Sequence, residues 1–349
     1  MPDQPDDWNI IIPIENLKIT MRSLKIGPVR LVRYTKNRVF TLRALGRKMF
    51  AQNPRYSHDR ESITRHTTPM RELTKDWPER TCAEITMQGI FSDVRKSALN
   101  LVEEALNVIK LYRYPNDDFY SRYFGIPGTV IPNVLRATIG YNTRQTRVSM
   151  SSSWVGHSYP FEIDENRSKW MRKYGFAEVS KLVGKNDKNE VEDRIITAVH
   201  WFAKAFDVTI AEYLRRPVEE EGTTFIIRGI HRDSIMFFDR LIKLMICSET
   251  LFVLDRNEAL RSAISERAAF LLGDNYRNRR EIKRFFGRMY DKRSDLVHGR
   301  TLSLDEDDLS KLVLYLQAAI IQLARKRKPL RLITNENLKE WFERKKLGG

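Results

Sequence analysis

The chain has 349 residues, of which 42% are hydrophobic and 30% are charged, and this composition is typical of a globular protein of about two domains. No window approaches about 18 consecutive apolar residues, which excludes an obvious transmembrane helix. The N-terminus, MPDQPDDWN, lacks the basic and apolar segments of a signal peptide. The sequence therefore predicts a cytoplasmic protein.

The net charge is +16, with 61 basic and 45 acidic residues, and the excess is concentrated in two stretches. Residues 18–75 carry fifteen basic and three acidic residues, and residues 277–300 carry nine and three. A solvated basic surface explains either stretch alone, whereas the two together make a nucleic-acid partner an equally good explanation. A membrane surface is less favoured, because neither stretch pairs its charge with an apolar helical face.

Side chains that form disulfides or bind metals are few. Cys82 and Cys247 lie far apart, which predicts two buried thiols rather than a disulfide. None of the six histidines has a second His or Cys at metal-ligand spacing. We therefore expect no metal site and no cofactor.

Residues 1–185 predict a mixed α+β domain. Segments rich in Ile and Val and interrupted by Pro and Gly are typical of short strands, and an apolar stripe behind a polar cap is typical of a helix. The predicted elements are strands within 10–45 and at 82–91, 134–142 and 143–154, and helices over 92–112 and 167–184. Residues 46–80 are polar and basic and match no pattern.

The polar segment 184–193 is the predicted domain boundary, because amphipathic helices follow one another beyond it. We predict an all-α bundle of four or five helices over 190–328 and a basic tail over 329–349. The expected helix ends are Gly273 and Gly299, and the expected capping box is Ser303 with Glu306.

Two of these helices carry a charged residue on an otherwise apolar stripe. The stripe of the helix that begins near residue 233 reaches Glu249, and that of the helix beginning near residue 278 reaches Arg293. Burial of a lone charge is unfavourable, so such residues pair or face a cleft. Both interpretations remain open: an ion pair that holds two helices in register, or a polar cleft lined by both side chains.

His298 follows Arg293 by five residues, which separates them by about 140° around a helix and about 7.5 Å along it. A straight helix does not bring both side chains onto one face. Either the helix loosens before His298, which Gly299 permits, or two copies of the segment meet across a two-fold axis. The negative end of the helix favours a protonated imidazole at His298.

A histidine and an arginine suit the cleavage of RNA. The 2′-hydroxyl is a nucleophile next to the scissile phosphate, and cleavage needs a proton acceptor or donor and a cation on the phosphate. His298 suits the proton transfer, and Arg293 suits the phosphate because its fork matches the oxygens and its charge persists. In a chain so rich in arginine, the helix-end position and the basic surroundings strengthen this interpretation more than the spacing does.

The segment MYDKRSDLVHGRTLSLDEDDLSKLVLYLQAAI resembles the C-terminal signature of HEPN domains, which are helical bundles with an Arg-x4–6-His motif. It is most similar to the Apea-like HEPN group, where a helix ending in Arg-Ser-x-x-Val-His-Gly precedes an acidic turn and a long helix. Upstream, IITAVHWFAKAF, LIKLMICSETLF and ERAAFLLG resemble earlier helices of that family, so the likeness spans about 190–325.

This resemblance implies a metal-independent endoribonuclease, commonly a homodimer, of a toxin–antitoxin or antiphage defence system. It assigns Arg293 and His298 to the catalytic pair, and it gives Ser294 and Glu249 supporting positions. The basic residues expected to contact RNA are Arg288, Lys292 and Arg300.

Two other classes of function stay open. A non-catalytic module would bind nucleic acid or nucleotide through Arg293, with a structural His298. A protein-interaction module would be a helical dimer that regulates a partner, with Glu249 and Arg293 as a structural pair. The N-terminal domain is expected to sense a trigger, such as an antitoxin or another molecule, or to grip the substrate.

Overall fold

The fold was obtained as a computed structural model, which describes residues 7–52, 77–89, 91–113, 138–142, 147–151, 161–207, 232–300 and 304–348. The chain forms two compact units, the first from Met1–Glu103 and Tyr120–Ser168 and the second from Glu104–Phe119 and Lys169–Gly349. A small antiparallel sheet lies near the N-terminus, and the described residues form ten helices. This agrees with the predicted order of an α+β region followed by a helical one.

The strands of the first unit form one four-stranded sheet and two separate pairs. They are β1 Asp7–Ile14, β2 Leu17–Ile19, β3 Leu24–Ile26, β4 Val29–Arg33, β5 Thr81–Gln88, β6 Thr138–Asn142, β7 Arg147–Ser151 and β8 Phe161–Ile163. The sheet has the antiparallel order β1-β5-β4-β3, while β2 pairs with β8 in parallel and β6 with β7 antiparallel. In β3, Leu24 and Ile26 are buried and Lys25 is exposed, as the period of two for a half-buried strand requires.

Helix α1, Lys36–Gln52, occupies a segment whose first half was predicted to be strand. That prediction is wrong, because the apolar side chains that meet the sheet, Val39 and Leu42, are spaced by three residues, which is a helical spacing. They pack against Val32 and Cys82, and Cys82 is a free, buried thiol, as predicted.

The remaining helices were largely predicted. They are α2 Phe91–Leu111, α3 Glu165–Lys173, α4 Phe176–Ser180, α5 Glu190–Lys204, α6 Arg232–Phe252, α7 Leu260–Leu272, α8 Tyr276–Val297, α9 Glu306–Lys326 and α10 Asn335–Lys346. Five of them, α5 to α9, lie in the region predicted as a bundle of four or five helices. Within the described residues, none of the helices has the length and apolar character needed to cross a bilayer.

The boundary of the second unit does not coincide with the predicted segment 184–193. Helix α4 packs against α9, and a Cβ atom at Gly175, just before α4, would lie 3.2 Å from the side chain of Ile321. Residues 169–183 therefore belong to the helical unit, although their sequence pattern does not distinguish them from the α+β region.

Aromatic and aliphatic side chains fill the core of the second unit. Phe252 of α6 packs edge-on against Phe286 of α8, and Phe285 and Phe286 both contact the ring of Tyr315 on α9. The predicted apolar stripe of α9 is buried throughout; it consists of Leu309, Leu312, Leu316, Ile320 and Leu323. The apolar period of these helices is therefore what brings α6, α8 and α9 together.

Helix α9 begins later than the predicted capping box. Its N-cap is Asp305, whose side chain accepts a hydrogen bond from the backbone N–H of Asp308 at 2.7 Å. The assignment of the box to Ser303 and Glu306 is wrong, because Glu306 is the first residue of the helix, whereas a capping box requires the glutamate at the third. Asp305 and Asp308 have the required spacing of three. Ser303 itself lies outside the described residues.

Gly273 ends α7 as predicted, but it does not adopt the left-handed conformation that commonly requires glycine at a helix end. Its φ is −92°, a value that other residues adopt. A Cβ atom at this position would lie 2.7 Å from the side chain of Arg279 and 2.9 Å from the carbonyl oxygen of Ala269. Glycine is therefore required by the close approach of the first turn of α8 and of the last turn of α7.

The basic segment 329–349, predicted as a tail with room for a short basic helix, contains helix α10, which contributes to the packing of the second unit. Thr334 caps this helix in a capping box with Asn337. Its buried side chains are Leu338, Trp341 and Phe342, and α10 contacts α5 and α7.

We predict that Phe342→Ala destabilises the protein by about 3–5 kcal/mol, because it removes an aromatic side chain that is 3% exposed. Leu347→Ala is the matched control, since Leu347 is 86% exposed, and its effect should stay within about 0.5 kcal/mol. Urea unfolding of the full chain measures both. Equal stability of the two variants would show that α10 does not belong to the cooperative unit.

Candidate functional site

Arg293 extends the buried stripe of α8, as predicted. Ile282, Phe286 and Met289 are buried on this face, and Arg293 follows one turn after Met289 with 27% of its side chain exposed. The helix is continuous here, since it runs from Tyr276 to Val297 and starts with the N-cap Asn275. The guanidinium is therefore held at the edge of the core rather than at the end of a freely moving side chain.

Glu249 lies opposite, in the last turn of α6, and two arginines, one half-buried and one buried, fix the end of that helix. Arg194 of α5 donates to the carbonyl oxygens of Thr250 and Val253, the latter at 2.8 Å. Arg267 of α7 donates to the carbonyl oxygen of Phe252 at 2.6 Å. These bonds satisfy carbonyl groups that a helix end leaves without partners, so the backbone that carries Glu249 is firmly placed.

Glu249 and Arg293 form a loose ion pair, with Oε1 of the glutamate 3.6 Å from Nη2 of the arginine. Within the described part of the chain, neither Oε1 of Glu249 nor Nε of Arg293, both buried, has a hydrogen-bond partner. Burial raises the pKa of Glu249 above its usual range, and the charge of Arg293 only partly opposes this shift. The two side chains therefore lie close enough for an ion pair but leave some of their hydrogen-bonding atoms without partners.

A second Glu–Arg pair in the same unit, Glu258 with Arg267, is fully hydrogen-bonded. Arg267 donates two hydrogen bonds of 2.6 Å to Glu258 in addition to its bond with a backbone carbonyl, and its side chain is only 9% exposed. Burial is the largest single influence and acts to raise the pKa of Glu258, but the hydrogen bonds and charge of Arg267, together with backbone hydrogen bonds, outweigh it and lower the pKa. Arg267 is committed to the fold, whereas Arg293 keeps donors for another anion.

His298 is the C-cap of α8, and a Schellman motif holds it there. The N–H of Gly299 donates to Leu296 at 3.1 Å, and the N–H of Arg300 donates to Asp295 at 2.9 Å. Gly299 has a φ of +69°, which is why glycine follows the histidine. The side chain of His298 is exposed.

The structure does not bring His298 and Arg293 together within one chain. The backbone N–H of His298 still donates to the carbonyl oxygen of Ser294 at 3.0 Å, so the helix does not loosen before the histidine. The two side chains are therefore separated by about 140° around α8. Of the two arrangements considered for this motif, the one that depends on a loosened helix is not observed.

The other predicted site residues differ in their exposure and in whether they form ion pairs. Ser294 is half-buried beside Arg293. Lys292 donates to Asp308 at 2.5 Å, and Arg300 donates to Asp295 at 3.0 Å, so both of these cations are already paired. Arg288 is exposed, with its guanidinium 5.6 Å from the centre of the Phe285 ring.

Three further arginines on α8 were not named as candidates from the sequence. Arg277, Arg280 and Arg284 are exposed and precede Arg288 at steps of three, four and four residues. This spacing places all four on one face of the helix and was visible in the sequence. The net charge of the stretch alone does not distinguish these residues from the other basic residues within it.

Metal sites and surface grooves are the two other kinds of site to consider. Among the described residues, no group of three or more His, Cys, Asp or Glu side chains is placed to hold a metal ion. A groove of about 630 Å³ lies between α9 and α10 and is lined by Gln322, Arg325, Lys326, Pro329, Leu330, Trp341 and Lys345. It contains none of the predicted site residues.

Comparison with known proteins finds no similarity on which a family can be based: no family model, no curated protein and no solved structure matches the chain.

The opposite pKa shifts of the two glutamates predict opposite effects of pH. Because the pKa of Glu249 is raised by folding, its contribution to stability is present at low pH and is lost as the pH rises through the folded-state pKa. Glu249→Gln should therefore match the wild type near pH 4 and become relatively more stable towards pH 7.

Glu258→Gln is the matched comparison. The pKa of Glu258 is lowered by folding, so its stabilisation is present above the unfolded-state pKa and is lost as the pH falls. This variant should be less stable than the wild type at pH 7 and approach it in acid. Unfolding free energies measured by urea across this pH range test both signs, and parallel curves for the two variants would contradict the contrast between the pairs.

Proposed function

We propose that the protein is a metal-independent endoribonuclease whose helical unit is a HEPN-type bundle. The observation that supports this most is the state of Arg293, which lies beside Glu249 at the edge of the core. Its Nε has no hydrogen-bond partner among the described residues. An arginine in this state suits a phosphate, because its planar fork is oriented in advance and its charge is only partly compensated. The sequence resemblance gives the same residue the phosphate-binding role.

In the proposed reaction, the 2′-oxygen of RNA attacks the adjacent phosphorus, and the bond from phosphorus to the 5′-oxygen of the next nucleotide breaks. His298 takes the proton from the 2′-hydroxyl or gives one to the leaving 5′-oxygen. Arg293 stabilises the charge on the phosphate, and Glu249 orients Arg293. The products carry a 2′,3′-cyclic phosphate and a 5′-hydroxyl, and hydrolysis of the cyclic phosphate leaves a 3′-phosphate.

We further propose that the site is composite and forms in a homodimer. Because α8 is continuous through Val297, one chain presents Arg293 and His298 on different faces. A two-fold arrangement of two α8 ends allows the histidine of one chain to approach the arginine of the other. The resemblance adds a role in toxin–antitoxin or antiphage defence, with the first unit sensing a trigger or gripping RNA.

A second candidate function is a nucleic-acid-binding module without catalysis. The exposed arginines of α8, together with the separation of Arg293 from His298 in one chain, favour it. The two functions differ in one measurable respect: only the nuclease changes the length of the RNA. A purely structural Arg293, in contrast, predicts that its substitution unfolds the protein.

Cleavage of labelled RNA in excess EDTA tests the nuclease directly. We expect His298→Ala to reduce the cleavage rate by about 10²–10⁴-fold, as for loss of a general acid–base, and Arg293→Gln by about 10²–10³-fold. Arg293→Lys should retain part of the activity, because it keeps the charge but loses the fork. His200→Gln is the control for a histidine outside the site, and circular dichroism verifies the fold of each variant.

Wild-type protein that leaves RNA intact while retaining it on a filter would favour the binding module. Unfolding of Arg293→Gln would favour the structural pair.

A mixing experiment tests the composite site. Arg293→Gln and His298→Ala chains are unfolded together, refolded and assayed with RNA. In a two-fold dimer, half of the dimers are mixed and each has one intact site, so about a quarter of the wild-type activity should return. Mixtures as inactive as the separate variants would show that each site uses one chain alone.

A further inference from the structure

The four exposed arginines of α8 share one face of the helix with His298. At about 100° per residue, Arg277, Arg280, Arg284 and Arg288 fall within an arc of about 80°, and His298 falls at the same angle as Arg280. Arg293 lies about 180° from the centre of this arc, on the packed side. We call these four residues the arginine row.

Three carboxylates lie on or near the face of the arginine row, but none of them forms an ion pair with it, and the charge of Arg277 is only a minor influence on Glu281. Each of the three has a cation of its own: Arg261 donates to Asp291 at 2.7 and 2.8 Å, Lys311 to Glu281 at 3.0 Å, and Arg300 to Asp295 at 3.0 Å. Among the described residues, none of the four row arginines forms an ion pair. The face therefore keeps a net charge of about +4.

The row also ends at an exposed aromatic ring. Tyr276, the first residue of α8, is 78% exposed and precedes Arg277. A line of cations beside an accessible ring is the combination that binds single-stranded nucleic acid, because the cations follow the phosphates and a base stacks on the ring. A membrane surface fits less well, since the large exposed apolar residues of this helix, Tyr276 and Val297, lie at its two ends.

The dimensions of the row match a strand longer than the cleavage site. Arg277 and Arg288 are about 16 Å apart along the axis, and Arg277 and His298 about 31 Å apart. With one phosphate about every 3.4 Å of a stacked strand, the second distance spans about nine phosphates.

We propose that the arginine row binds the phosphate backbone of single-stranded RNA and leads the strand towards His298. The choice of RNA rests on the proposed nuclease function, whereas the binding surface itself does not. The row thus supplies affinity for nucleotides on one side of the scissile phosphate, and Arg293 and His298 act only where the strand ends its path along α8.

Fluorescence anisotropy with 2′-O-methyl RNA tests the row separately from catalysis, because this RNA lacks the 2′-hydroxyl nucleophile. The row variant replaces all four arginines with Gln in the full chain. We expect it to bind an oligomer of about 12 nucleotides at least tenfold more weakly, with a salt dependence of log affinity that is shallower by about two to three. Binding of an oligomer of about 4 nucleotides should change much less.

The control variant removes the same charge elsewhere, by Gln substitution of the exposed residues Lys169, Lys173, Lys181 and Lys328. Tyr276→Ala should weaken binding without changing the salt slope. Equal losses in the row and control variants would overturn the proposal, as would equally tight binding of polyglutamate of matched charge. Row-dependent binding by a protein that does not cleave RNA would refute the nuclease alone, and cleavage that is unaffected by loss of row binding would refute the row alone.

Discussion

The continuity of helix α8 is the constraint on which the candidate site depends. Its backbone bonds continue through His298, whose N–H donates to Ser294, and a left-handed Gly299 ends it immediately afterwards. An unbroken helix assigns every side chain an angle, so Arg293 faces the core while His298 and the arginine row face outwards. The proposed dimeric site and the proposed RNA path both follow from this division of faces.

The packing of the second unit then determines what Arg293 is able to do. Burial beside α6 brings Glu249 near enough to orient the guanidinium, but the contact of 3.6 Å leaves it unsaturated. The pair of Glu258 and Arg267, with bonds of 2.6 Å, shows that the same unit also forms a saturated pair. The difference between the two pairs is the physical argument for separating a binding arginine from a structural one.

Apolar periodicity predicted most of the helical unit because its helices bury one stripe each. The stripe of α9 from Leu309 to Leu323 is buried as expected. Glu249 and Arg293 were identified because each is a charged residue on an otherwise apolar stripe, and the two form an ion pair between α6 and α8. Helix α1 was not predicted, because the spacing of three between Val39 and Leu42, which meet the sheet, is by itself a weak signal. The helix cap at Asp305 was misassigned because the pair of Ser303 and Glu306 and the pair of Asp305 and Asp308 have the same spacing of three residues.

By itself, the sequence determined most of the helices of the second unit, the glycine that ends α8, and the identity of the charged residues, because these depend on local periodicity and on backbone conformation. Only the tertiary structure decided which cations remain available. Lys292 and Arg300 were as good candidates as Arg288 in the sequence, yet Asp308 and Asp295 pair with them. The pair of Arg300 and Asp295 lies within the end of α8, but the pairs of Lys292 with Asp308, Arg261 with Asp291 and Lys311 with Glu281 depend on distances between helices. The arginine row therefore became distinct only after the neighbouring helices were in place.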